Sequence, residues 1–316
     1  MRRLAAAALA LGLVATPALA APVSTEIVHG DLKGTLLRPE GGAKGPAVLI
    51  IAGSGPTDRD GNSPLGVSAS SYRLLAEALA DRGITTLRYD KRGVGGSAAA
   101  MVAEQDLRFD TYADDARGWA TELKRQTGAK CVWLAGHSEG ALLAEVAAQA
   151  NKEICGVIMM SGAGRPAVQV LREQFKAGAP DTYTVIAPVL DAWEAGKTAE
   201  CPPNWAFICR PSVQPYILSW AARDPAKLIR TIRGPVLILQ GTTDIQVSMA
   251  DAERLATARP DAKFVMLEGV NHLLKLAPAD RAANAATYRD PSLPLAPGVA
   301  DAIAAFVKAP KKHPRH

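Results

Sequence analysis

A serine hydroxyl is a poor nucleophile at neutral pH. It needs a base to take its proton, and the base needs a carboxylate to orient its ring. One serine in this chain is set up for that treatment: Ser138, in the run Val132-Trp133-Leu134-Ala135-Gly136-His137-Ser138-Glu139-Gly140-Ala141-Leu142-Leu143. An apolar run, then Gly-x-Ser-x-Gly, then small residues at helical spacing predicts a strand, a sharp turn and a helix, with Ser138 at the tip. Gly136 and Gly140 would let the helix close on the strand, and the helix amino end would favour developing negative charge. The base follows by elimination among five histidines. His137 adjoins Ser138 and must point elsewhere, His29 lies in the early strands, and His313 and His316 belong to the tail. That leaves His272, in Glu268-Gly269-Val270-Asn271-His272, directly after an expected strand. The carboxylate is expected at a strand end between Ser138 and His272. Asp244, just past Gly241, fits, although Asp also serves well as a turn or cap residue. Asp251 and Glu268 are weaker substitutes. The oxyanion donors are expected to be the backbone N–H of Glu139 and one from Gly53-Ser54-Gly55, Ser54 first and Gly55 second. The Glu139 side chain is read as a solvated helix-start residue.

These residues need a frame. Thr25 to Arg38 alternates loosely and predicts antiparallel strands turning at His29-Gly30-Asp31. Ala47 to Ala52 is a continuous apolar strand of the kind buried on both faces of a parallel sheet. It runs into Gly53-Ser54-Gly55-Pro56-Thr57-Asp58-Arg59-Asp60-Gly61-Asn62, a Gly-rich loop where open α/β sheets bind ligands. A helix is expected over Ser71 to Arg82, a strand over Ile84 to Tyr89, a Gly-rich turn over Asp90 to Ser97, and a helix over Asp114 to Gln126. Beyond the Ser138 turn come strands over Cys155 to Ser161, Pro235 to Gly241 and Lys263 to Leu267, with helices over Ala250 to Ala258 and Ala300 to Lys308. The alternation predicts an α/β fold with a mostly parallel sheet and helices on both faces. It breaks over residues 165–233, read as a helical insertion covering the site. The expected organisation is a signal segment over 1–20, a core over 21–164 and 234–309, the insertion between, and a basic tail over 310–316.

Composition narrows the partners. The chain has 316 residues, 48% hydrophobic, and a formal charge of +5. Arg2, Arg3, Lys311, Lys312 and Arg315 account for that excess, so the body is near neutral, and no basic patch interleaved with aromatics suggests nucleic-acid binding. Arg2 and Arg3, the apolar run Leu4 to Val14, and Ala18-Leu19-Ala20 read as an export signal cleaved after Ala20. No later stretch is long enough to cross a bilayer. In an oxidising compartment the four cysteines suggest disulfides. Cys201 with Cys209 is the favoured pair, closing a short Pro-rich loop. Cys131 and Cys155 form either a second bridge between neighbouring strands or a pair of buried thiols. Their spacings match no zinc pattern. Asp58-Arg59-Asp60-Gly61-Asn62 lacks the distal Glu of a calcium loop. It is read as a hydrogen-bonded Asp–Arg loop bracing the oxyanion donors, and Asp90 with Arg92 as a structural turn.

The loop 53–62, the turn Arg88-Tyr89-Asp90-Lys91-Arg92-Gly93-Val94-Gly95, the serine turn, Arg210-Pro211-Ser212-Val213-Gln214-Pro215-Tyr216, Gln240-Gly241-Thr242-Thr243-Asp244-Ile245-Gln246-Val247 and Asn271-His272 together resemble the α/β-hydrolase superfamily. Within it they resemble the branch of exported bacterial esterases labelled serine aminopeptidase-like. The resemblance runs from about residue 25 to 308 and departs where Ala52-Gly53 replaces the common His-Gly before the oxyanion residue. It implies a Ser138–His272–Asp244 triad beneath a helical cap, acting without metal or organic cofactor on a small-molecule carboxylic ester of small or medium acyl chain through an acyl-enzyme. A peptidase trimming N-terminal residues is the alternative. It would require an acidic pocket for the substrate amino group, from Glu139, Glu173 or Glu194. A hydrolase-fold protein that only binds ligands is the alternative of another class.

Overall fold

The computed structural model describes residues 21–42 and 45–309. The expected signal segment and basic tail lie outside the described residues. The chain opens with the antiparallel pair β1 (Val23–His29) and β2 (Leu32–Arg38), then β3 (Ala47–Ile51). A small hairpin, β4 (Asn62–Ser63) with β5 (Val67–Ser68), precedes α1 (Ser71–Ala80), β6 (Thr85–Tyr89) and α2 (Phe109–Thr127). β7 (Val132–His137) runs into α3 (Glu139–Ala148), and β8 (Ile154–Met160) follows. Five helices come before the sheet resumes: α4 (Ala167–Gly178), α5 (Pro180–Glu194), α6 (Ala206–Cys209), α7 (Gln214–Ala221) and α8 (Pro225–Leu228). β9 (Val236–Gly241), α9 (Met249–Ala258), β10 (Lys263–Leu267), α10 (Arg281–Ala286) and α11 (Val299–Lys308) complete the chain.

One sheet of eight strands, in the order β1-β2-β6-β3-β7-β8-β9-β10, organises the molecule. From β6 onward every neighbouring pair is parallel. Every residue of β3, β6, β7 and β9 is buried, because helices cover both faces. On one face α2, α3 and α9 supply Trp119, Leu123, Leu143, Val146 and Leu255. On the other α1 and α11 supply Leu75, Leu79, Val299 and Ile303. The inserted helices pack around a smaller cluster of their own: Val168, Ile186, Val189, Leu190 and Trp193.

Three local differences from the sequence expectation have physical reasons. α2 starts at Phe109 rather than Asp114, because Phe109, Tyr112 and Ala113 continue its buried stripe. The 62–68 segment, expected to be loop, forms the β4–β5 hairpin, too short and polar to show a strand period. α10 (Arg-Ala-Ala-Asn-Ala-Ala) has no apolar stripe; the Asp280 side chain caps it by accepting from the Ala283 N–H.

Both cysteine pairs are bridged, Cys131 to Cys155 and Cys201 to Cys209, and no free cysteine occurs among the described residues. The first bridge ties the beginnings of β7 and β8, where parallel pairing sets Val132 opposite Ile154. The second closes a loop within the insertion. Among the described residues no helix is long and apolar enough to cross a membrane.

Candidate active site

Ser138 stands between β7 and α3 with φ 55° and ψ −120°, a backbone conformation that L-residues avoid. The turn holds because both ends are clamped: the Ser138 N–H donates to the Met160 carbonyl at 2.9 Å, and the Ala141 N–H donates to the Ser138 carbonyl at 3.0 Å. The two flanking glycines are required by close approach. A Cβ on Gly136 would overlap the Gly140 carbonyl, and one on Gly140 would overlap the Ile51 carbonyl. No other residue lets α3 sit this close to β7 and β3.

Asp244 and His272 arrive on loops at the carboxyl ends of β9 and β10, the adjacent parallel strands. His272 Nδ1 and Asp244 Oδ2 are 2.9 Å apart, both side chains nearly excluded from solvent. Asp244 Oδ1 also accepts from the N–H groups of Gln246 and Val247, at 2.8 and 2.9 Å. Burial pushes the Asp244 carboxyl pKa up. The His272 charge and hydrogen bond, with those two N–H groups, outweigh burial and hold it below the usual carboxylate range. The His272 loop is itself braced. Asn271 Oδ1 accepts from the Leu273 and Lys275 N–H groups, and Ser71 Oγ donates to the Leu273 carbonyl at 2.6 Å.

The weaker carboxylate candidates lie elsewhere. Asp251 is buried against Arg165, Ser248 and the Gly164 N–H, pinning the start of the insertion to α9. Glu268 is exposed.

Ser138 and His272 open onto one cleft of about 170 Å³, with Gly53, Ser54, Leu65, Tyr72 and Gln246 among its walls. Gly53 passes beside Ser138, which brings the Gly-rich loop to the serine. Glu139 is the first residue of α3, so its N–H belongs to the first-turn donors that have no partner within the helix. Ser54 and Gly55 are exposed on the loop, Gly55 with φ 71°, and no acceptor among the described residues takes the Ser54 N–H. The cleft walls include no carboxylate. Glu173 pairs with Arg165, Glu194 with Arg172, and Glu139 is buried beneath the site. Among the described residues no group of three or more His, Cys, Asp or Glu is placed to hold a metal ion.

The loop 53–62 is laced to its neighbours. Asp58 Oδ1 accepts from the Asp60 and Asn62 N–H groups, and Asp90 accepts from the Arg59 N–H and Nε. Asp90 therefore pairs with Arg59 rather than Arg92, whose partner is Asp115.

Two features under the site were not legible in the sequence. The Glu139 carboxylate is not solvated. It is 2% exposed, accepts from Lys91 Nζ at 3.2 Å, and accepts the phenolic hydrogen of Tyr216 from α7. Apolar neighbours enforce the burial, and only a partner far away in sequence could satisfy the charge. The second feature is a chain through His137. Its Nε2 lies 2.7 Å from the His272 carbonyl, which can only accept, so Nε2 carries the hydrogen. Nδ1 must then accept from the Tyr72 hydroxyl at 2.8 Å, and Tyr72 in turn accepts the Gly53 N–H at 3.0 Å. Burial, with the neighbouring His272, drives the His137 pKa down to about 3, so the ring is neutral. One chain of hydrogen bonds thus ties the Gly53 loop to the His272 loop. The Gly-His-Ser order hinted only that His137 must point away from Ser138.

The sheet order, the serine turn after β7 and the inserted helices after β8 define an α/β-hydrolase fold. The chain belongs to the serine aminopeptidase, S33 family, whose sequence pattern matches residues 65–227. Esterase EstD of Thermotoga maritima is 28% identical over 255 residues, covering 79% of this chain; the chain spans 59% of that relative's length. Among solved structures, Est1E from Butyrivibrio proteoclasticus with ferulic acid bound is similar over 84% of this chain and 96% of its own, at 19% identity and a TM-score of 0.55. Proline iminopeptidase of Mycobacterium smegmatis is similar over 90% of this chain and 97% of its own, at 14% identity and a TM-score of 0.53. An esterase and a peptidase on one frame mean that the frame alone does not choose between the two chemistries.

Proposed function

We propose that this chain is an exported serine hydrolase that cleaves neutral carboxylic esters of small or medium acyl chain. In this reading His272, oriented by Asp244, takes the Ser138 proton as the oxygen attacks the ester carbonyl. The oxyanion is held by the N–H groups of Ser54 and Glu139. The imidazolium protonates the leaving alcohol, and water releases the acid from the acyl-enzyme by the same route. The inserted helices 165–233 serve as a cap, and Leu65, Val67 and Leu273 offer the cleft's apolar contacts.

The observation that carries the choice of ester is the cleft wall. It combines Ser138 and His272 with hydroxyl, amide and apolar side chains, and it offers no carboxylate to an N-terminal ammonium. Burying that ammonium unpaired would cost several kcal/mol. The three carboxylates that a peptidase reading would use are engaged elsewhere. The volume, well below the roughly 300–1,000 Å³ of drug-sized sites, favours small substrates. The similarity to Esterase EstD supports the same reading. Two disulfides together with the Arg2-Arg3, Leu4 to Val14 and Ala18-Leu19-Ala20 pattern support delivery to the periplasm or beyond.

The test is a panel of p-nitrophenyl esters of graded acyl length and aminoacyl p-nitroanilides, with Ser138→Ala alongside. Ester turnover that falls off with chain length and vanishes in the variant is expected. Anilide turnover exceeding ester turnover would move the chain to the peptidases. Failure of a fluorophosphonate to label Ser138 would leave a binding protein. For export, mass spectrometry of the protein from its own cell is expected to find Ala21 at the amino terminus.

A further inference from the structure

Lys91 is among the largest fully buried side chains of the protein and lies in no substrate cleft. It follows β6, and its ammonium reaches under the site. Nζ donates to the Gly53 carbonyl at 2.6 Å and to Glu139 Oε2 at 3.2 Å, and it stands 5.1 Å from the centre of the Tyr112 ring. A buried ammonium is costly to place, and Glu139, the Tyr112 face and a carbonyl together offset that cost. A lysine whose work was only to neutralise Glu139 would have no need of Gly53.

The Gly53 carbonyl shares its peptide plane with the Ser54 N–H. In a trans peptide the two point in opposite directions. A carbonyl drawn inward to Lys91 therefore sends the Ser54 N–H the opposite way, away from the buried ammonium, and Ser54 and Ser138 line one cleft. The preceding peptide plane, Ala52–Gly53, is fixed as well, because the Gly53 N–H donates to Tyr72, so Gly53 is held on both sides of its Cα. A cation on the carbonyl also draws electron density from the amide, which makes its N–H a stronger donor. The Glu139 carboxylate that anchors Lys91 belongs to the residue whose own N–H is the other expected donor. Tyr216 ties that carboxylate to the insertion.

We propose that Lys91 is the positioning residue of the oxyanion site. It clamps and polarises the Gly53–Ser54 peptide so that the Ser54 N–H is aimed and strengthened before substrate arrives, with Glu139 and Tyr216 holding the ammonium in register. This rests on the serine-hydrolase reading above. No bond is made or broken at Lys91, and its effect is confined to the state that carries an oxyanion.

The experiment compares wild type, Lys91→Met and the double variant Lys91→Met/Glu139→Gln. The double variant removes both charges and so leaves no buried ion uncompensated, which covers failure of the single variant to fold. Three readouts are taken: kcat and KM on p-nitrophenyl butyrate, the inhibition constant of an alkyl trifluoromethyl ketone whose serine adduct carries an oxyanion, and the final extent of fluorophosphonate labelling. Removing one direct oxyanion donor costs about 100- to 1,000-fold, so loss of a residue acting through that donor is expected to lower kcat by about 10- to 100-fold. KM should stay within about twofold, ketone affinity should fall in step with kcat, and labelling should still go to completion. A folded variant that keeps wild-type kcat and ketone affinity overturns the proposal. So does a rate loss that merely tracks the unlabelled fraction, which is what a structural role would give. Wild type that neither turns over esters nor labels at Ser138 defeats the hydrolase reading itself, a result distinct from either of these.

Discussion

The polar groups beneath Ser138 and those of the inserted helices are held in opposite ways. Beneath the serine, Lys91, Glu139, His137, Asp244 and His272 are almost wholly buried, and each hydrogen-bonds to a partner distant in sequence. In the insertion, apart from Arg165 on the buried Asp251, the ion pairs lie toward the surface. Arg172 bridges Asp191 and Glu194, Lys227 reaches Asp224, and Arg223 reaches back to Asp110, each with a partner substantially open to water or exposed itself. Precision is stored in the buried set. Buried pairs have few alternative partners and a low surrounding dielectric, so they fix geometry to fractions of an ångström. Exposed pairs exchange with water and contribute little. A base of this kind suits a reaction that demands one arrangement.

Substitutions should separate the two regions by size of effect. Ser138→Ala is expected to abolish ester turnover while leaving the melting temperature close to wild type, because Ala keeps the Cβ and the clamped backbone of the turn. Turnover surviving at more than about a thousandth of wild type in that variant would break the assignment of the nucleophile. Asp244→Asn preserves shape but removes the charge that fixes the His272 tautomer. A fall in kcat of roughly 100- to 10,000-fold is expected, read in single-turnover experiments that separate chemistry from binding.

His137 probes the base through pH. Its folded pKa of about 3 lies below the unfolded value of 6.5, so as pH falls below 6.5 the unfolded chain takes up a proton that the folded chain refuses. Stability is therefore full above pH 6.5 and is lost progressively toward pH 3. Between pH 7 and pH 5 this group alone should remove about 2 kcal/mol. In urea titrations, the gap in stability between wild type and His137→Gln should narrow by that amount over the same interval. An unchanged gap would mean that His137 does not titrate as a buried neutral ring.

Smaller effects are expected in the insertion. Replacing Cys201 and Cys209 by Ser opens a loop of sequence separation 8. Chain entropy assigns about 2–3 kcal/mol to such a closure. Proteolysis should then begin within 165–233 while the amides of the central strands keep their protection from exchange. Arg172→Ala should change stability by less than about 1 kcal/mol in the same titration. A loss comparable to that of the disulfide would show that the insertion is built as tightly as the base.

Much of the frame was legible because its signals are local. A continuous apolar run such as Ala47–Ile51 can be buried on both faces only between two helical layers. Gly136 and Gly140 mark a turn that admits no side chain, and Ser138, Asp244 and His272 each sit just past a recognisable strand. What was illegible had no local period. The β4–β5 hairpin that contributes Leu65 and Val67 to the cleft is short and polar, α10 has no apolar face, and Phe109 and Tyr112 precede the clearest part of the α2 stripe.

Residue order alone was enough for the main sheet strands and the helices between them, the sharp serine turn and the three residues whose types suit acyl transfer. Those properties depend on neighbours a few positions away and on burial, which apolar periodicity reports directly. Three features came from long-range packing instead: Glu139 is buried on Lys91 and Tyr216, His137 links Tyr72 to the His272 loop, and Asp251 holds the insertion rather than His272. Each of these is a pairing between residues dozens of positions or more apart, and no local pattern says which buried charge will meet which. The fold brings them together because an ion or a donor enclosed without a partner would cost several kcal/mol, and each was enclosed where one partner stood within reach.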